Sequence, residues 1–258
     1  AASKEKPLTF SRGILTDAMP SNRDDIGAET LRRMSALVRY GLWVIERIRP
    51  WVGKRVLEVG SGIGNNSRHF LASEALFLTD VNDEYLAVLR DLFGGHESVT
   101  VERFDLEESG AHLRGKGIDT VVVLNVLEHI RDDAHALGEM SSILAPGGHI
   151  ILQVPSHPLL YGTLDRNLDH YRRYTVGGIR DRFSESGITP IRFFHMNMPG
   201  ALGWFVYSRV LKHTLLPKGP LSIFNRLTPL IMAVERTLNT PFGLSIIAVG
   251  RKEPADGP

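Results

Sequence analysis

The stretch VLEVGSGIGN, residues 56–65, joins a run of branched apolar residues to three glycines at every second position. A short apolar run of this kind predicts a buried β-strand. Glycines directly behind a strand predict a tight turn that brings backbone N–H groups close to a ligand, and the helix expected next would place its dipole behind them. Such turns hold nicotinamide, flavin, nucleotide and sulfonium cofactors, so the surrounding residues must identify the ligand.

Strand-like and helix-like segments alternate on both sides of this turn. The alternation predicts βαβ crossovers and a parallel sheet with helices on both faces. We therefore predict an α/β fold with a doubly wound, mostly parallel sheet. Strands are expected in RVLEV, ALFLT, VTVERF, IDTVVVLN, HIILQV, TPIRFFHMN and FGLSIIAVGRK, and helices in NNSRHFLA, DEYLAVLRDLF, DDAHALGEMSSIL and VGGIRDRFSESG.

Helical regions flank this predicted core on both sides. Apolar residues recur at mostly helical spacing over residues 29–49, and Pro50 ends the pattern. Towards the other end, two apolar helical segments separated by the breaker PKGP form an insertion before the last strand. We predict a single domain with an N-terminal cap segment and helix (1–50), a cofactor-binding core (51–198), the helical insertion (199–240), and the last strand with a loose tail (241–258).

The composition is ordinary for a soluble globular protein. The chain has 258 residues, and its formal net charge of +1 is too small to indicate a nucleic-acid-binding surface. It contains no cysteine, which excludes disulfides, thiolate zinc sites and cysteine nucleophiles. The first residues are polar and no apolar stretch is long enough to span a membrane, so we expect a cytoplasmic protein.

The spacing of the glycines argues against a dinucleotide. The dinucleotide fingerprint G-x-G-x-x-G requires a third glycine where this chain has Asn65 or Ser67, depending on the register. Glu58, two residues before the first glycine, would also repel a pyrophosphate. A carboxylate at that place suits a ligand with a positive or amine-bearing end.

Two further acids follow later strands. Asp80 ends the second predicted strand about 20 residues beyond Glu58, a distance typical of an acid that binds a ribose diol. Asp105 ends the third predicted strand, where it could accept a hydrogen bond from an adenine amine. Each has a structural alternative, because Asp80 could cap the next helix and Asp105 could stabilise a turn.

These motifs together resemble those of a class I S-adenosylmethionine-dependent methyltransferase of the small-molecule type. The resemblance covers roughly residues 30–190 and implies a Rossmann-like seven-stranded sheet whose last strand is antiparallel, with S-adenosylmethionine as cofactor. It rests on five motifs in the usual order, VLEVGSGIGN, TDVNDEYL, FDLEE, VVVLNVLEHIRD and LAPGGHIILQVP.

The resemblance also implies roles for the matching residues. The methionine portion would lie against Glu58 and the backbone of Gly60, Gly62 and Gly64, the ribose against Asp80 and Val81, the adenine against Asp105 and Leu106, and the sulfonium near Asn125 and Val126. From the first helix, Tyr40 and Trp43 are candidates to close this pocket.

Polar and aromatic residues are dense after the fifth predicted strand, in residues 157–174, where acceptor-binding loops usually lie. We predict His170 as the general base, oriented by Asp169 or Asp165, because histidine accepts a proton readily near neutral pH. His129 is a second catalytic candidate, although it could be a packing residue. The residues predicted to bind the acceptor are His157, Tyr161, Asp165, Arg172, Arg173, Tyr174 and Trp204, with Arg172 or Arg173 for an anionic group.

Two alternatives remain open for this loop. Its arginines and aspartates could instead form a structural network that fixes the loop. A metal site made of Asp165, Asp169 and His170 is the other alternative, but the metal-dependent branch of the family places acids after the fourth strand, where this chain has Asn125 and Glu128. We therefore predict no metal.

The insertion has four interpretations: an acceptor lid, a dimer face, a helix resting on a membrane, accompanied by Arg209 and Lys212, or simple packing.

We predict methyl transfer to a small molecule, at a hydroxyl of a natural product, sugar or lipid-linked acceptor rather than at nitrogen or carbon. The alternatives are a catalytically silent cofactor-binding subunit and, disfavoured by the glycine spacing, a nicotinamide-dependent oxidoreductase.

Overall fold

The computed structural model describes residues 37–215, 218–237 and 240–254, together with Glu29 and Arg33. The predicted N-terminal cap segment before Asp25 and the last residues of the tail lie outside these ranges, so both expectations stay predictions. Within the described residues, no helix combines the length and apolar character needed to cross a membrane.

Seven strands form one sheet, with the order β3-β2-β1-β4-β5-β7-β6. Strand β7 is antiparallel to both of its neighbours, and the other pairs are parallel. The predicted doubly wound sheet with an antiparallel last strand is therefore confirmed. The strands are β1 (Arg55–Val59), β2 (Ala75–Asp80), β3 (Val99–Arg103), β4 (Thr120–Leu124), β5 (His149–Pro155), β6 (Ile188–Met196) and β7 (Ser245–Lys252).

Helices connect these strands and cover both faces of the sheet. They are α1 (Val38–Ile48), α2 (Asp83–Phe93), α3 (Asp133–Ile143), α4 (Thr163–Asn167), α5 (Val176–Glu185), α6 (Met198–Trp204) and α7 (Lys218–Thr237). A π-helical segment, Phe205–Val210, continues α6. The helices predicted after β2, β4 and β5 are confirmed as α2, α3 and α5.

Two predicted helix boundaries are wrong. NNSRHFLA forms only a short 3-10 helix, Ser67–Phe70, so no long helix dipole stands behind the glycine turn. The breaker PKGP does not separate the insertion helices as expected, because α7 already begins at Lys218. Pro220 then lies in the first turn of α7, where a backbone N–H has no partner within the helix and its loss costs little.

The core lies on both faces of the sheet. On one face, α1 and α2 pack against β1, β2 and β4, and Trp43 and Ile48 of α1 are fully buried there. Side chains of α7 extend this layer and are partly buried. On the other face, α3 and α5 cover the inward side chains of β4 and β5. Burial of each large aliphatic side chain contributes about 1.5–3 kcal/mol, so this packing fixes the strand ends that carry the site.

Candidate functional site

A cavity of about 870 Å³ lies at the carboxyl ends of the parallel strands. It is centred on β1 and β4, where the strand order reverses, which is where ligands bind in open α/β sheets. Residues that follow β1, β2, β3 and β4 form one end of its wall, and residues from α1, α6 and α7 contribute to the wall as well.

The glycine turn forms part of this wall. Gly60 has a φ of 68°, and a Cβ atom there would lie 2.4 Å from Cγ2 of Val126, so only glycine fits. Gly62, with a φ of 55°, donates its N–H to Oδ2 of Asp80 at 2.8 Å. Gly64 does not line the cavity, because it packs against the ring of Phe93. Its predicted contact with the cofactor is therefore wrong, and its role is steric.

Glu58 is almost completely buried at the end of β1 and lines the cavity. Its Oε2 accepts a hydrogen bond from Oγ of Ser67 at 2.5 Å. Burial raises the pKa of Glu58 to about 7, and hydrogen bonds from Ser67 and Ser61 only partly oppose this shift. An ammonium group in the cavity would restore the charged carboxylate, because an opposite charge lowers a carboxyl pKa.

Asp80 ends β2 and does not cap the next helix. The cap of α2 is Asn82, whose side chain accepts from the backbone N–H groups of Glu84 and Tyr85. Asp80 instead accepts from the N–H groups of Gly62 and Asn82, and burial raises the pKa of its carboxyl despite these bonds. Each carboxylate oxygen keeps a further lone pair for a ligand hydroxyl. Val81, which follows, also lines the cavity.

Asp105 and Leu106 follow β3 and also line the cavity. The carboxylate of Asp105 accepts from the N–H of Glu107 at 2.9 Å, so the turn-stabilising role is present as well. Asn125 follows β4 with a φ of 55° and lines the cavity beside Val126. Three of the four parallel strands β1 to β4 therefore carry an acid at or within two residues of their carboxyl end, and the fourth is followed by an amide.

The aromatic residues of α1 divide between cavity and core. The hydroxyl of Tyr40 accepts a hydrogen bond from Nε2 of Gln153 at 2.9 Å, and Tyr40 lines the cavity as predicted. Trp43 is fully buried in the core and does not reach the cavity, so it does not close the pocket.

One cation near the glycine turn, Arg68, was not predicted from the sequence. Among the described residues, Arg68 and Arg173 are the lysines or arginines that line the cavity. Arg173 is paired with a carboxylate, whereas the one contact of Arg68 within the described part of the chain is a weak one with Nε2 of His69 at 3.4 Å. Arg68 is therefore suited to bind the carboxylate of an amino-acid ligand. Its position three residues after the predicted glycine turn is the sequence feature from which this role could have been predicted.

Asp165 is the centre of the acceptor half of the site. It is fully buried, and its Oδ1 accepts from Nε of Arg173 at 2.7 Å and contacts Nδ1 of His170 at 3.2 Å. Its Oδ2 accepts from Nε1 of Trp204 at 3.1 Å and from the N–H of Gly162 at 2.9 Å. Burial opposes the charge of Asp165, but the bond from His170 and the charge of Arg173 lower its pKa overall.

His170 lines the cavity between two carboxyl groups and a second imidazole. Its Nε2 lies 4.0 Å from Oε1 of Glu128, and its ring meets the ring of His129 edge-on at 4.7 Å. Burial raises the pKa of Glu128 to about 7, and Oε2 of this residue has no hydrogen-bond partner among the residues that the structure describes. The ring of His129 is exposed towards the cavity, but the surrounding walls desolvate it and, with His170, lower its pKa to about 4.

Glu128, His129 and His170 each offer one donor atom, and these atoms lie within 4.8 Å of one another. A group of this kind could hold a metal ion. The metal site considered from the sequence is not assembled, because Asp169 has a left-handed φ of 56° and its exposed side chain does not bond to His170. Asp165 orients His170, and the alternative of Asp169 is wrong. The predicted absence of a metal stays a prediction.

Several residues predicted to bind the acceptor lie away from the cavity. Arg172 pairs with Asp133 at 2.9 Å and donates to the carbonyl of Arg131. Tyr174 is buried in the core, where its hydroxyl bonds to the Leu127 carbonyl and to Asp133. The predicted roles of both residues in acceptor binding are therefore wrong, and the structural network was the correct alternative for them.

Tyr161 and His157 support the loop from outside the cavity. The hydroxyl of Tyr161 donates to the carbonyl of His170 at 2.7 Å. His157 has a φ of 57°, and its ring stacks on His195 and Phe242. Neither residue lines the cavity, in contrast to the prediction, whereas Trp204, Arg173 and His170 do.

Comparisons with known proteins point to one family. The sequence profile of a family described as "Methyltransferase domain" matches residues 57–150. The chain is 33% identical over 110 residues to a tRNA U34 carboxymethyltransferase of Methylococcus capsulatus, a match that covers 41% of this chain and 33% of the relative. It is 30% identical over 135 residues to a ubiquinone biosynthesis O-methyltransferase of Aromatoleum aromaticum, with 52% of this chain and 53% of the relative covered.

The fold comparison extends further along the chain. A chain in the complex between the Haloferax volcanii Trm112 methyltransferase activator and its methyltransferase partner superposes with a TM-score of 0.63 at 16% identity. That match covers 92% of this chain and 99% of the other. At this identity the similarity establishes the fold alone. The chain spans about half or less of the length of the curated relatives that it matches.

Proposed function

We propose that this chain is a class I S-adenosylmethionine-dependent methyltransferase that methylates a hydroxyl group of a small-molecule acceptor, with His170 as the general base. S-adenosylmethionine is the cofactor of this family, and when bound it supplies a methyl carbon activated by a positive sulfur. The acids at the strand ends fit its functional groups: Glu58 its ammonium, Asp80 its ribose diol, and Asp105 with Leu106 its adenine.

The observation that carries the proposal is the contact between buried Asp165 and His170, which lines the cavity. The lowered pKa of Asp165 keeps its carboxylate ionised at neutral pH, so it acts as an acceptor. Nδ1 of His170 then carries the proton, and Nε2 presents a lone pair. Nε2 can therefore take the proton of an acceptor hydroxyl, and the positive ring that results lies between Asp165 and Glu128.

Two further observations favour oxygen as the methylated atom. A hydroxyl needs a base to remove its proton, whereas an amine needs less help, and this site is built around a base. The Aromatoleum aromaticum relative is itself named as an O-methyltransferase. Arg173 is already neutralised by Asp165, so we do not assign it to an anionic group of the acceptor.

The experiment is a turnover assay with methyl-labelled S-adenosylmethionine and a panel of phenols, hydroxylated quinone precursors, sugars and long-chain alcohols. Product analysis by mass spectrometry would identify the methylated atom. The variant His170→Gln should bind S-adenosylhomocysteine like the native chain, while its turnover falls by about 100- to 10,000-fold. His135→Gln is the matched control, because His135 is an exposed histidine on α3.

Unchanged turnover in His170→Gln would contradict the base assignment. Methylated nitrogen or carbon in the product would contradict the choice of oxygen. Tight cofactor binding without turnover of any acceptor would favour the catalytically silent subunit. Loss of turnover on chelation would contradict the predicted absence of a metal.

A further inference from the structure

Helix α7 exposes an apolar stripe along its length. Ile223, Leu227, Leu230 and Val234 recur at intervals of three and four residues and therefore lie on one helix face. Their exposed fractions are 64%, 48%, 65% and 43%. The described part of the chain therefore leaves these four apolar side chains exposed to solvent.

The stripe is distinct from the face by which α7 packs. Leu221 and Phe224 point to the cavity, and Ile231 and Met232 pack against the core on the α1 side. Helix α7 is therefore apolar on two faces, although one apolar face is enough to hold a surface helix. The second face needs a separate explanation.

Helix α6 and its π-helical continuation repeat this arrangement. Pro199, Gly203 and Tyr207 line the cavity, while Leu202, Val206 and Val210 are exposed. Both insertion helices thus line the same cavity and present apolar side chains away from it. We call these outward side chains the outer wall: Leu202, Phe205, Val206, Val210, Ile223, Leu227, Leu230 and Val234. An exposed apolar set of this size marks an interaction surface.

The charged residues of the insertion are mostly cationic, although Arg236 forms an ion pair with exposed Glu46 of α1. Residues 198–237 contain five lysines and arginines and a single acid, Glu235, although the whole chain has a net charge of only +1. Glu235 is buried and accepts the backbone N–H groups of Asn197 and Met198, so it does not face the surface. The side chains of Lys212 and Arg226 are exposed, and neither forms an ion pair with another described residue.

We propose that the outer wall docks the protein on the surface of an anionic lipid bilayer. Apolar side chains flanked by exposed cations, on an insertion whose single acid is buried, fit the interface between acyl chains and anionic headgroups. A soluble protein partner would not require this excess of cations. The inference does not depend on the identity of the methyl acceptor, because docking is measured without turnover.

The test is co-sedimentation of the full chain with vesicles of phosphatidylcholine and phosphatidylglycerol, and with phosphatidylcholine vesicles alone. The native chain should bind the anionic vesicles and be released by high salt. Charge reversal in Lys212→Glu/Arg226→Glu should weaken binding by at least about tenfold. Ile223→Gln/Leu230→Gln should weaken it as well at low salt, although this variant keeps every charge. Reversal of two exposed arginines outside the insertion, Arg90→Glu/Arg251→Glu, is the matched control and should have a smaller effect.

Three results would overturn the inference. The first is no binding of the native chain to anionic vesicles, or binding that the control reduces as much as the insertion variants do. The second is a native dimer that Ile223→Gln/Leu230→Gln converts to a monomer while vesicle binding stays unchanged, because the outer wall would then be a self-association face. The third is a large fall in melting temperature of that variant without a change in vesicle binding, which would mean that another segment of the chain covers the stripe.

Discussion

The two halves of the cavity are built in different ways. In the cofactor half, Glu58, Asp80 and Asp105 end or closely follow neighbouring parallel strands, and each is held by backbone or side-chain groups only a few residues away or on the adjacent strand. In the acceptor half, Asp165 joins residues from two loops and the insertion, including Trp204, 39 positions further along the chain. The first half depends on strand ends, and the second on long-range packing.

This difference determines how the two halves respond to change. In the cofactor half, a lost side chain removes one contact to the ligand, while the sheet keeps the other acids in place. In the acceptor half, Asp165 satisfies buried donors from Arg173, Trp204 and His170 together. A lost side chain there leaves several polar groups without partners, so function and stability are coupled in this half.

The largest expected effect is on Asp165. Asp165→Ala leaves the buried guanidinium of Arg173 unpaired and should lower the free energy of unfolding by about 3–5 kcal/mol. Asp169→Asn is the matched control in the same loop, because the side chain is exposed and asparagine tolerates the left-handed backbone there, so stability should change by no more than about 0.5 kcal/mol. Urea denaturation measures both variants. If both variants lose a similar free energy of unfolding, the proposed coupling of function and stability in the acceptor half is contradicted.

A smaller effect is expected on the pH dependence of cofactor binding. The pKa of Glu58 is raised to about 7 by burial, and only its ionised form attracts an ammonium group. Affinity for S-adenosylhomocysteine should therefore rise as the pH increases through 7 and fall by about tenfold one unit below it. The range of pH 5.5–7.5 keeps the ligand amine protonated, and calorimetry measures the constant at each pH.

Two variants separate Glu58 from the other carboxyl group with a similar pKa. Glu58→Gln should flatten the pH profile, because no charge is left to titrate at that position. Glu128→Gln should keep the profile, since Glu128 lies beside His170 in the acceptor half. The reverse pattern would mean that Glu128, and not Glu58, faces the ammonium group.

The sequence predicted the cofactor half better than the acceptor half, for a physical reason. An acid after a parallel strand must lie at the ligand edge of the sheet, so Glu58, Asp80 and Asp105 could be placed from local pattern alone. Gly64 was misassigned because its role depends on Phe93, which reaches it only through tertiary packing. Arg68 was missed because no pattern distinguishes a cavity arginine from a surface arginine.

In the acceptor half, composition alone did not separate function from support. Asp165 and Asp169 both lie near His170 in sequence, and only the left-handed backbone at Asp169 and the helical turn at Asp165 decide between them. Arg172 and Arg173 are adjacent, yet one pairs with Asp133 and the other with Asp165. Which partner each side chain reaches depends on the direction of the backbone at that residue. The density of polar residues in the sequence does not specify that direction.

The most direct test of the central claim is calorimetric binding of S-adenosylhomocysteine to the native chain, Asp80→Ala and His170→Gln. Asp80→Ala should weaken binding by about 10- to 100-fold, because hydrogen bonds to a charged group contribute about 1.5–3 kcal/mol. His170→Gln should bind like the native chain, since His170 belongs to the acceptor half. Unchanged affinity in Asp80→Ala, or preference of the native chain for a nicotinamide dinucleotide over S-adenosylhomocysteine, would contradict the claim.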